Sequence, residues 1–311
     1  MKKVDLSIII PIFNEEECID ALFDSLKIVV EKLLSEDKTL EVIIVDDHSG
    51  DSSWEKLEEI KKSYSWLRCI RLLRNSGSHV AIYAGLNQCL GESAFIISAD
   101  LQAKPDLIFD FMKKSEEGFD VVLGDRQART DPFFKKVISS IFNILVSKFV
   151  MKNFPMNGGD VFLINRKITN AIVECNEKNV NIFVLILSLC SDVGHVNYQR
   201  FERYAGKSKW DVKKLSKLAY DTIITVSNIP FRFIFWVGVS TFVVSTAFTF
   251  LIIILKIMGK IPIEGWASIL VAVSSFGSLI LISVALLGEY LWRNFDQTRN
   301  RPMYIIDNEL K

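Results

Sequence analysis

The amino-acid sequence predicts an α/β domain with a parallel-rich sheet and helices on both of its faces, followed by two transmembrane helices. Two observations carry this prediction. Up to about residue 228, short apolar runs alternate with segments of helical periodicity, which is typical of parallel strands joined by crossover helices. Beyond that point, residues 233–255 and 265–288 form two stretches without a charged side chain, and each is long enough to cross a bilayer as a helix.

Five apolar runs predict the strands of the sheet. They lie at residues 6–10, 41–45, 69–73, 94–98 and 121–124. Runs this short and this apolar are typical of strands that are buried on both faces of a parallel sheet. Apolar residues at helical spacing between the runs predict helices over residues 15–34, 54–62 and 80–89. No GxGxxG turn follows the first run, so a dinucleotide-binding fold lacks support.

The distribution of charge predicts three regions. We expect a cytoplasmic domain over residues 1–228, a transmembrane hairpin over 229–290 and a cytoplasmic tail over 291–311. As a helix, each uncharged stretch is roughly 35 Å long, which exceeds the thickness of the hydrocarbon core of a bilayer. Lysines and arginines flank the hairpin on the side of the domain and the tail, and such residues collect on the cytoplasmic face of the inner or plasma membrane. Residues 133–151 show one apolar face with lysines at its ends, which fits either an interfacial helix or a core helix of the domain.

The composition excludes several other classes of protein. Lysine plus arginine and aspartate plus glutamate are equal at 37 each, so no bulk positive charge points to a nucleic-acid partner. The five cysteines are scattered without a CxxC pair, which fits reduced cytoplasmic thiols better than a zinc site. The apolar run at residues 6–13 is short and contains Pro11, unlike a secretory signal peptide. Neither uncharged stretch holds an ionisable residue that would mark a transport path.

Polar side chains follow three of the predicted strands. Asp100 and Gln102 come directly after the fourth run, and their oxygens are ligands of the kind that Mg²⁺ and Mn²⁺ prefer. In open α/β sheets the ligand crevice lies beyond the carboxyl ends of the strands. Asn14 and Glu15 after the first run and Asp47 after the second are suited to hydrogen-bonding a ribose and a base. An aspartate pair before a Ser-Gly turn is, however, also ordinary turn chemistry.

The order of motifs along nearly the whole chain resembles that of a known family. The segments that resemble the GT-A glycosyltransferases of family 2 are Pro11-Ile12-Phe13-Asn14-Glu15, Asp46-Asp47-His48-Ser49, Arg74-Asn75-Ser76-Gly77 and Asp100-Leu101-Gln102. Three later segments narrow the resemblance to the polyprenyl-phosphate glycosyltransferases, relatives of dolichol-phosphate mannose synthase and of the bacterial bactoprenol glucosyltransferases. They are Gly159-Asp160-Val161-Phe162-Leu163, Arg200-Phe201-Glu202-Arg203-Tyr204-Ala205-Gly206-Lys207-Ser208-Lys209, and Gly288-Glu289-Tyr290-Leu291 with Arg301-Pro302.

The resemblance implies a GT-A fold and a reaction. A sugar moves from a nucleoside diphosphate to a polyprenyl phosphate in the lipid bilayer, with inversion at the anomeric carbon and with Mg²⁺ or Mn²⁺ as cofactor. The two-span tail is more like the bactoprenol enzymes, which favours a UDP-sugar as donor and undecaprenyl phosphate as acceptor. A lipid phosphate is already ionised at neutral pH, so the departing diphosphate is the group that needs a metal and cations. The oligomeric state stays open, and a homo-oligomer is one alternative.

The resemblance also implies roles for individual residues. Asp100 and Gln102 hold the metal, and Asp160 lies near the sugar and the acceptor phosphate. The residues expected to contact phosphate are Arg126, Arg129, Arg203, Ser208 and Lys209. The residues expected to contact the nucleoside are Pro11, Phe13, Asn14, Glu15, Asp47 and Asn75. For the first two arginines, ion pairs with Asp125 and Asp131 are an alternative.

Three positions depart from the family. Ser98 and Ala103 stand where many members have aspartate, and Phe162 stands where many have arginine. The missing carboxylates suggest weaker metal binding, and the missing arginine suggests a different donor sugar. They also leave open a catalytically silent membrane scaffold that binds nucleotide sugar or lipid. A processive polysaccharide synthase is a further alternative, but the segment 199–203 lacks the tryptophan of the QxxRW motif.

Overall fold

The computed structural model describes residues 4–127, 160–175, 181–190, 192–201, 204, 265–299 and 301–311, with scattered positions between 236 and 258. For some residues of 266–298 only the backbone is described. The chain divides into two compact units. Unit 1 comprises Met1–Thr225 together with Pro302–Lys311, and unit 2 comprises Val226–Arg301. The last ten residues of the chain therefore belong to the N-terminal unit.

Unit 1 is built on one mixed sheet, which has eight strands within the described residues. The strands are β1 (Val4–Ile12), β2 (Leu40–Asp46), β3 (Leu67–Leu72), β4 (Gly91–Ile96), β5 (Val121–Gln127), β6 (Phe162–Asn165), β7 (Val193–Gln199) and β8 (Ile306–Leu310). Their order across the sheet is β7-β5-β6-β4-β1-β2-β3-β8. The central strands β4, β1, β2 and β3 run parallel, whereas β6 and β8 run antiparallel to their neighbours.

Helices follow most of the strands of unit 1. They are α1 (Ile19–Ser35), α2 (Ser53–Lys61), α3 (Ser78–Gln88), α4 (Ile108–Glu116), α5 (Arg166–Cys175) and α6 (Ile182–Ser188), with a 3₁₀ turn at Pro105–Leu107 before α4. Unit 2 contains α7 (Trp266–Thr298). The alternation of strands and helices confirms the predicted α/β class with a parallel-rich sheet.

The central strand β1 shows why helices cover both faces of the sheet. Ile8 and Ile10 pack into a core with α1, α2 and α4, whereas Ile9 packs into a second core with α3, α5 and α6. Successive side chains of a strand point to opposite faces, and all three isoleucines are at most 1% exposed. An apolar run of this kind is stable only when both faces of its sheet are covered.

Gly85 brings α3 close to the sheet. A Cβ atom at this position would lie 2.5 Å from Cγ2 of Ile9 and 3.3 Å from Cγ2 of Val45. A larger side chain would therefore push α3 away from β1 and β2. The close approach fixes the height of α3 above the carboxyl ends of these two strands.

The described residues do not show the two predicted transmembrane helices. Among the helices formed by described residues, none meets the length and apolar character that crossing a membrane requires. The segment 133–151, predicted as an interfacial or a core helix, lies outside the described residues. Unit 2 does present large apolar side chains to its surroundings along α7, for example Ile269 and Val273, each 66% exposed.

Candidate functional site

The carboxyl ends of three neighbouring parallel strands define the candidate site. Strands β4, β1 and β2 lie side by side, and each is followed by a non-glycine residue in the left-handed region. These residues are Leu101 (φ 56°), Asn14 (φ 50°) and His48 (φ 62°). Such conformations are costly for residues other than glycine and collect at functional sites. Of the four non-glycine residues with positive φ in the described part of the chain, three therefore lie at the sheet edge at which open α/β folds bind ligands, and the fourth is Asp37 in the turn before β2.

Asp47 lies at the end of β2 and is 3% exposed. Its two carboxylate oxygens accept hydrogen bonds from the N–H groups of Ser76 and Gly77, each at 2.7 Å. Burial raises the pKa of the Asp47 carboxyl, although the two donors act in the opposite direction. Asp47 thus holds the β3–α3 loop (residues 73–77), which carries the exposed Asn75. The structure places both predicted nucleoside contacts at one end of the site.

The loops that follow β1 and β2 are hydrogen-bonded to each other. Oδ1 of Asn14 accepts from the N–H of Gly50 at 2.8 Å, and the N–H of Asn14 donates to Oγ of Ser49 at 2.8 Å. The N–H of Glu15 donates to Oγ of Ser53 at 2.9 Å. Three further predicted nucleoside residues belong to the first of these loops or to the end of β1. They are Pro11, Phe13 and Glu15, and all three are half-buried.

Asp100 and Gln102 lie just beyond β4, on either side of the left-handed Leu101. Asp100 is 6% exposed, and one of its oxygens accepts from the N–H of Gln102 at 3.2 Å. Oε1 of Gln102 accepts from Nε of Arg200 at 3.1 Å and also from a terminal nitrogen of the same guanidinium. The carbonyl of Gln102 accepts from the N–H of Phe201 at 2.9 Å. Gln102 therefore holds the residues that follow β7, and its side-chain oxygen already accepts hydrogen bonds from Arg200.

Arg200 opens the basic segment that carries the family resemblance, but no role was predicted for it, and in the structure it lies near the charged groups of the site. Burial, and then the charge of Arg126, lower the pKa of the Arg200 guanidinium. The carboxylates of Asp160 and Asp100 act in the opposite direction. The sequence signal was its position three residues before Arg203 in the basic segment, but its contact with Gln102 spans 98 residues.

Asp160, Arg126 and Tyr198 form a compact cluster. The Tyr198 hydroxyl donates to Oδ1 of Asp160 at 2.6 Å, Nε of Arg126 donates to the same oxygen at 3.1 Å, and a terminal nitrogen of Arg126 lies 2.5 Å from Oδ2. Burial lowers the pKa of Arg126, but Asp160 and Tyr198 together more than offset this, so the pKa is raised overall. Burial and then Asp160 raise the pKa of Tyr198, which remains a donor. Of the two alternative partners expected for the arginines, Asp125 pairs with His195 at 2.9 Å, and Asp131 lies outside the described residues.

The remaining sequence predictions fall into two groups. Arg129, Arg203, Ser208 and Lys209 lie outside the described residues. Of the three departures from the family, Phe162 is fully buried in β6, and its ring stacks on Phe183 with centroids 4.9 Å apart. It is a core residue in this structure. Ala103 is buried as well, whereas Ser98 is half-buried and accepts from the N–H of Asp100 at 3.4 Å.

Asp100 is the carboxylate at this edge that the sequence predicts to bind a metal ion. Within the described part of the chain, no group of three or more histidine, cysteine, aspartate or glutamate side chains is arranged to hold a metal. Mg²⁺ is commonly bound by one or two carboxylates, with substrate phosphates and waters as the other ligands. Asp100, buried at the end of β4, fits a metal that arrives together with a diphosphate.

The fold and the charged edge of the sheet define a GT-A-like glycosyltransferase. The chain belongs to the family described as Glycosyl transferase family 2, whose model matches residues 7–173. The resemblance inferred from the sequence motifs is thereby confirmed, and so is the class of enzyme.

Relatives extend the similarity over almost the whole chain. The chain is 32% identical over 306 residues to the uncharacterized glycosyltransferase YkcC of Bacillus subtilis, covering 98% of this chain and 94% of that protein. It is also 32% identical over 309 residues to the undecaprenyl-phosphate 4-deoxy-4-formamido-L-arabinose transferase of Photorhabdus laumondii, with coverages of 98% and 94%.

A solved structure supports the fold. The glucosyl-3-phosphoglycerate synthase of Mycobacterium tuberculosis, in a complex with Mn²⁺, UDP and glucosyl-3-phosphoglycerate, aligns with a TM-score of 0.50 at 16% identity. The alignment covers 71% of this chain and 78% of that one. At this level of identity the likeness concerns the fold, and it agrees with the GT-A architecture expected from the motifs.

Proposed function

We propose that this glycosyltransferase moves a sugar from a nucleoside diphosphate sugar, a UDP-sugar, to a polyprenyl phosphate, with inversion at the anomeric carbon. The acceptor class rests on the near full-length similarity to a relative named as an undecaprenyl-phosphate transferase. One observation in the structure carries the proposal. Arg126 pairs with Asp160, and Gln102 accepts from Arg200 while its N–H donates to Asp100, so two guanidinium groups and two carboxylates gather at the carboxyl edge of the sheet.

This arrangement suits the transfer between two phosphates. The acceptor phosphate is ionised at neutral pH, so the enzyme needs to orient it more than to deprotonate it. Arg126 and Arg200 present planar forks of donors, which bind phosphate oxygens in pairs. Fixed cations of this kind stabilise the charge that develops on the departing diphosphate. Asp160 keeps Arg126 charged and oriented, and Tyr198 keeps Asp160 in place.

Asp100 is the residue that we propose holds Mg²⁺ or Mn²⁺, with the diphosphate of the donor completing the set of ligands. The bound metal supplies positive charge for the leaving diphosphate. Gln102 then contributes from the other side of Leu101, by holding Arg200 near the same phosphates. We also propose that Arg129, Arg203, Ser208 and Lys209 contact phosphate, as the family resemblance implies.

We propose that residues 229–290 form a transmembrane hairpin between a cytoplasmic domain (1–228) and a cytoplasmic tail (291–311). The uncharged stretches 233–255 and 265–288 support this, as do the exposed apolar side chains of α7. The chain leaves unit 1 after Thr225 and rejoins it at Pro302. A segment that begins and ends on one folded unit crosses a membrane an even number of times, and two helices satisfy this condition.

The test is sugar transfer by purified membranes. We would incubate them with radiolabelled UDP-sugars or GDP-mannose and undecaprenyl phosphate, with and without EDTA. We expect label in the organic phase that requires the lipid phosphate and is lost with EDTA. Asp100→Asn is expected to lower kcat by about 100-fold or more, the scale of a lost electrostatic group in an active site.

The matched control is Asp106→Asn, at an exposed residue of the 3₁₀ turn six positions further on, which should retain wild-type turnover. Absence of lipid-linked label from every donor would refute the proposal. Binding of a nucleotide sugar without turnover would favour the silent scaffold instead.

A further inference from the structure

We propose that the C-terminal strand β8, together with Tyr304 just before it, positions the β3–α3 loop on the nucleoside side of the site. Donor binding would then depend on a segment that follows unit 2 along the chain. The kinetic consequence rests on the proposed function, whereas the structural consequence does not.

One side of the β3–α3 loop is held by the end of β2. Asp47 accepts hydrogen bonds from the N–H groups of Ser76 and Gly77 within the loop. Nδ1 of His48 lies 3.2 Å from the carbonyl of Leu72, the last residue of β3. These contacts fix the loop only from the interior of the sheet, because β2 is the inner neighbour of β3.

The other side of β3 is covered by β8. The N–H of Leu73, the first residue of the loop, donates to the carbonyl of Ile305 at 2.9 Å. Leu72 pairs with Ile306, and the register of the two strands shifts between Arg71 and Leu72. Such an irregularity re-aims the chain at the end of a strand. The tail therefore acts on the backbone at the point where β3 becomes the loop.

Tyr304 connects the tail to α3, the helix that follows the loop. Its hydroxyl accepts from Nδ2 of Asn87 at 2.7 Å, and its ring meets that of Tyr83 edge to face with centroids 6.2 Å apart. Both partners belong to α3, which begins at Ser78 directly after the loop. The tail thus contacts the strand before the loop and the helix after it. Fixing both ends of a loop before a ligand arrives lowers the entropy that binding must overcome.

The opposite end of β8 provides a matched control. Arg68 at the start of β3 pairs with Glu309 at 3.1 Å and with the buried Glu41 at 2.8 Å. In a parallel sheet these residues lie at the amino ends of β2 and β3, away from the candidate site. A substitution at Glu309 weakens the attachment of the tail without touching the part of it that faces the loop.

The experiment compares Tyr304→Ala with Glu309→Gln in the full-length protein in lipid nanodiscs. Loss of the ring contact and the hydrogen bond is expected to raise the donor KM about tenfold with kcat nearly unchanged, and Glu309→Gln should leave both constants within about twofold. Tyr304→Phe, which keeps the ring and loses the hydroxyl, should give an intermediate KM. Hydrogen exchange in peptides spanning residues 73–80 should be faster in Tyr304→Ala than in the wild type or Glu309→Gln.

The two readouts separate this inference from the proposed function. If the wild type transfers no sugar from any donor and Tyr304→Ala still accelerates exchange in the loop, the proposed function fails and the positioning role stands. If the enzyme is active and Tyr304→Ala leaves both the donor KM and loop exchange at wild-type values, the positioning role is wrong. A fall in kcat with an unchanged KM and unchanged exchange would also contradict it.

Discussion

The side of the site proposed to bind the nucleoside (the nucleoside side) and the side proposed to bind phosphate (the phosphate side) are held together by different interactions. On the nucleoside side, Asn14 and Asp47 accept hydrogen bonds from backbone N–H groups of neighbouring loops. On the phosphate side, Asp160 and Arg126 hold each other through opposite charges. Backbone contacts fix one geometry, whereas a cluster of charges can rearrange when a further anion or cation enters. We therefore expect the first side to be preorganised and the second to respond to ligand charge.

The largest effect is expected when the charge balance of the phosphate side is broken. Asp160→Asn keeps an oxygen that can accept from Tyr198 but removes the negative charge opposite Arg126, whose side chain is 13% exposed. An uncompensated cation in this position would bind the lipid phosphate or the diphosphate out of place. We expect kcat/KM to fall by about 100- to 1000-fold, measured with the lipid acceptor at fixed donor concentration.

The control for this prediction is Asp125→Asn, which removes the carboxylate that pairs with the exposed His195. It should retain wild-type kcat/KM. Activity of Asp160→Asn within tenfold of the wild type, with unchanged melting temperature, would show that the charge of Asp160 is dispensable and that the two sides do not differ in this way.

A second, smaller effect concerns the pair of Gln102 and Arg200. If Gln102 acts by holding Arg200, then Gln102→Ala and Arg200→Ala should each raise the donor KM about tenfold, and the double variant should be little worse than either, because groups that act through one contact are not additive. The concentration of Mn²⁺ that gives half-maximal activity should stay the same in Gln102→Ala.

The competing role of Gln102 predicts a different pattern. A metal ligand would raise the Mn²⁺ requirement in Gln102→Ala and leave it unchanged in Arg200→Ala, and the two substitutions would add. Ser98→Ala is the matched control, because Ser98 flanks Asp100 and lies outside the Gln102–Arg200 contact.

The difference between local sequence patterns and contacts between distant residues explains which features could be predicted from the sequence. The buried strands β1 to β5 were predicted because each is a local apolar run. Strand β8 was not, because Ile306–Leu310 is short and carries Asp307 and Glu309, and only pairing with β3 makes it a strand. Strand β7 was not predicted either, although its alternation of buried and exposed residues is a pattern that the sequence contains.

The site divides in a similar way. Asp100 and Asp160 each lie within a motif of contiguous residues, so both could be predicted as site residues from the sequence. Tyr198 and Arg200 acquire their roles through contacts with Asp160 and Gln102, which lie 38 and 98 residues away. Distant contacts of this kind are set by the packing of β7 beside β5 and are not visible in local spacing.

The smallest effect tests the nucleoside side through pH. His79 lies in the first turn of α3, directly after the β3–α3 loop, and within the described residues its ring nitrogens have no hydrogen-bond partner. Burial lowers the pKa of His79 to about 4. A histidine whose pKa is lower in the folded state stabilises the fold above its unfolded pKa, near 6.5, and this stability is lost as the pH falls toward 4.

Between pH 7 and pH 5.5 we expect the wild type to lose about 1 kcal/mol more unfolding free energy than His79→Phe, as measured by urea denaturation at each pH. Equal pH dependence in the wild type and His79→Phe would contradict this prediction, because the titration of His79 would then contribute nothing to the stability of the fold.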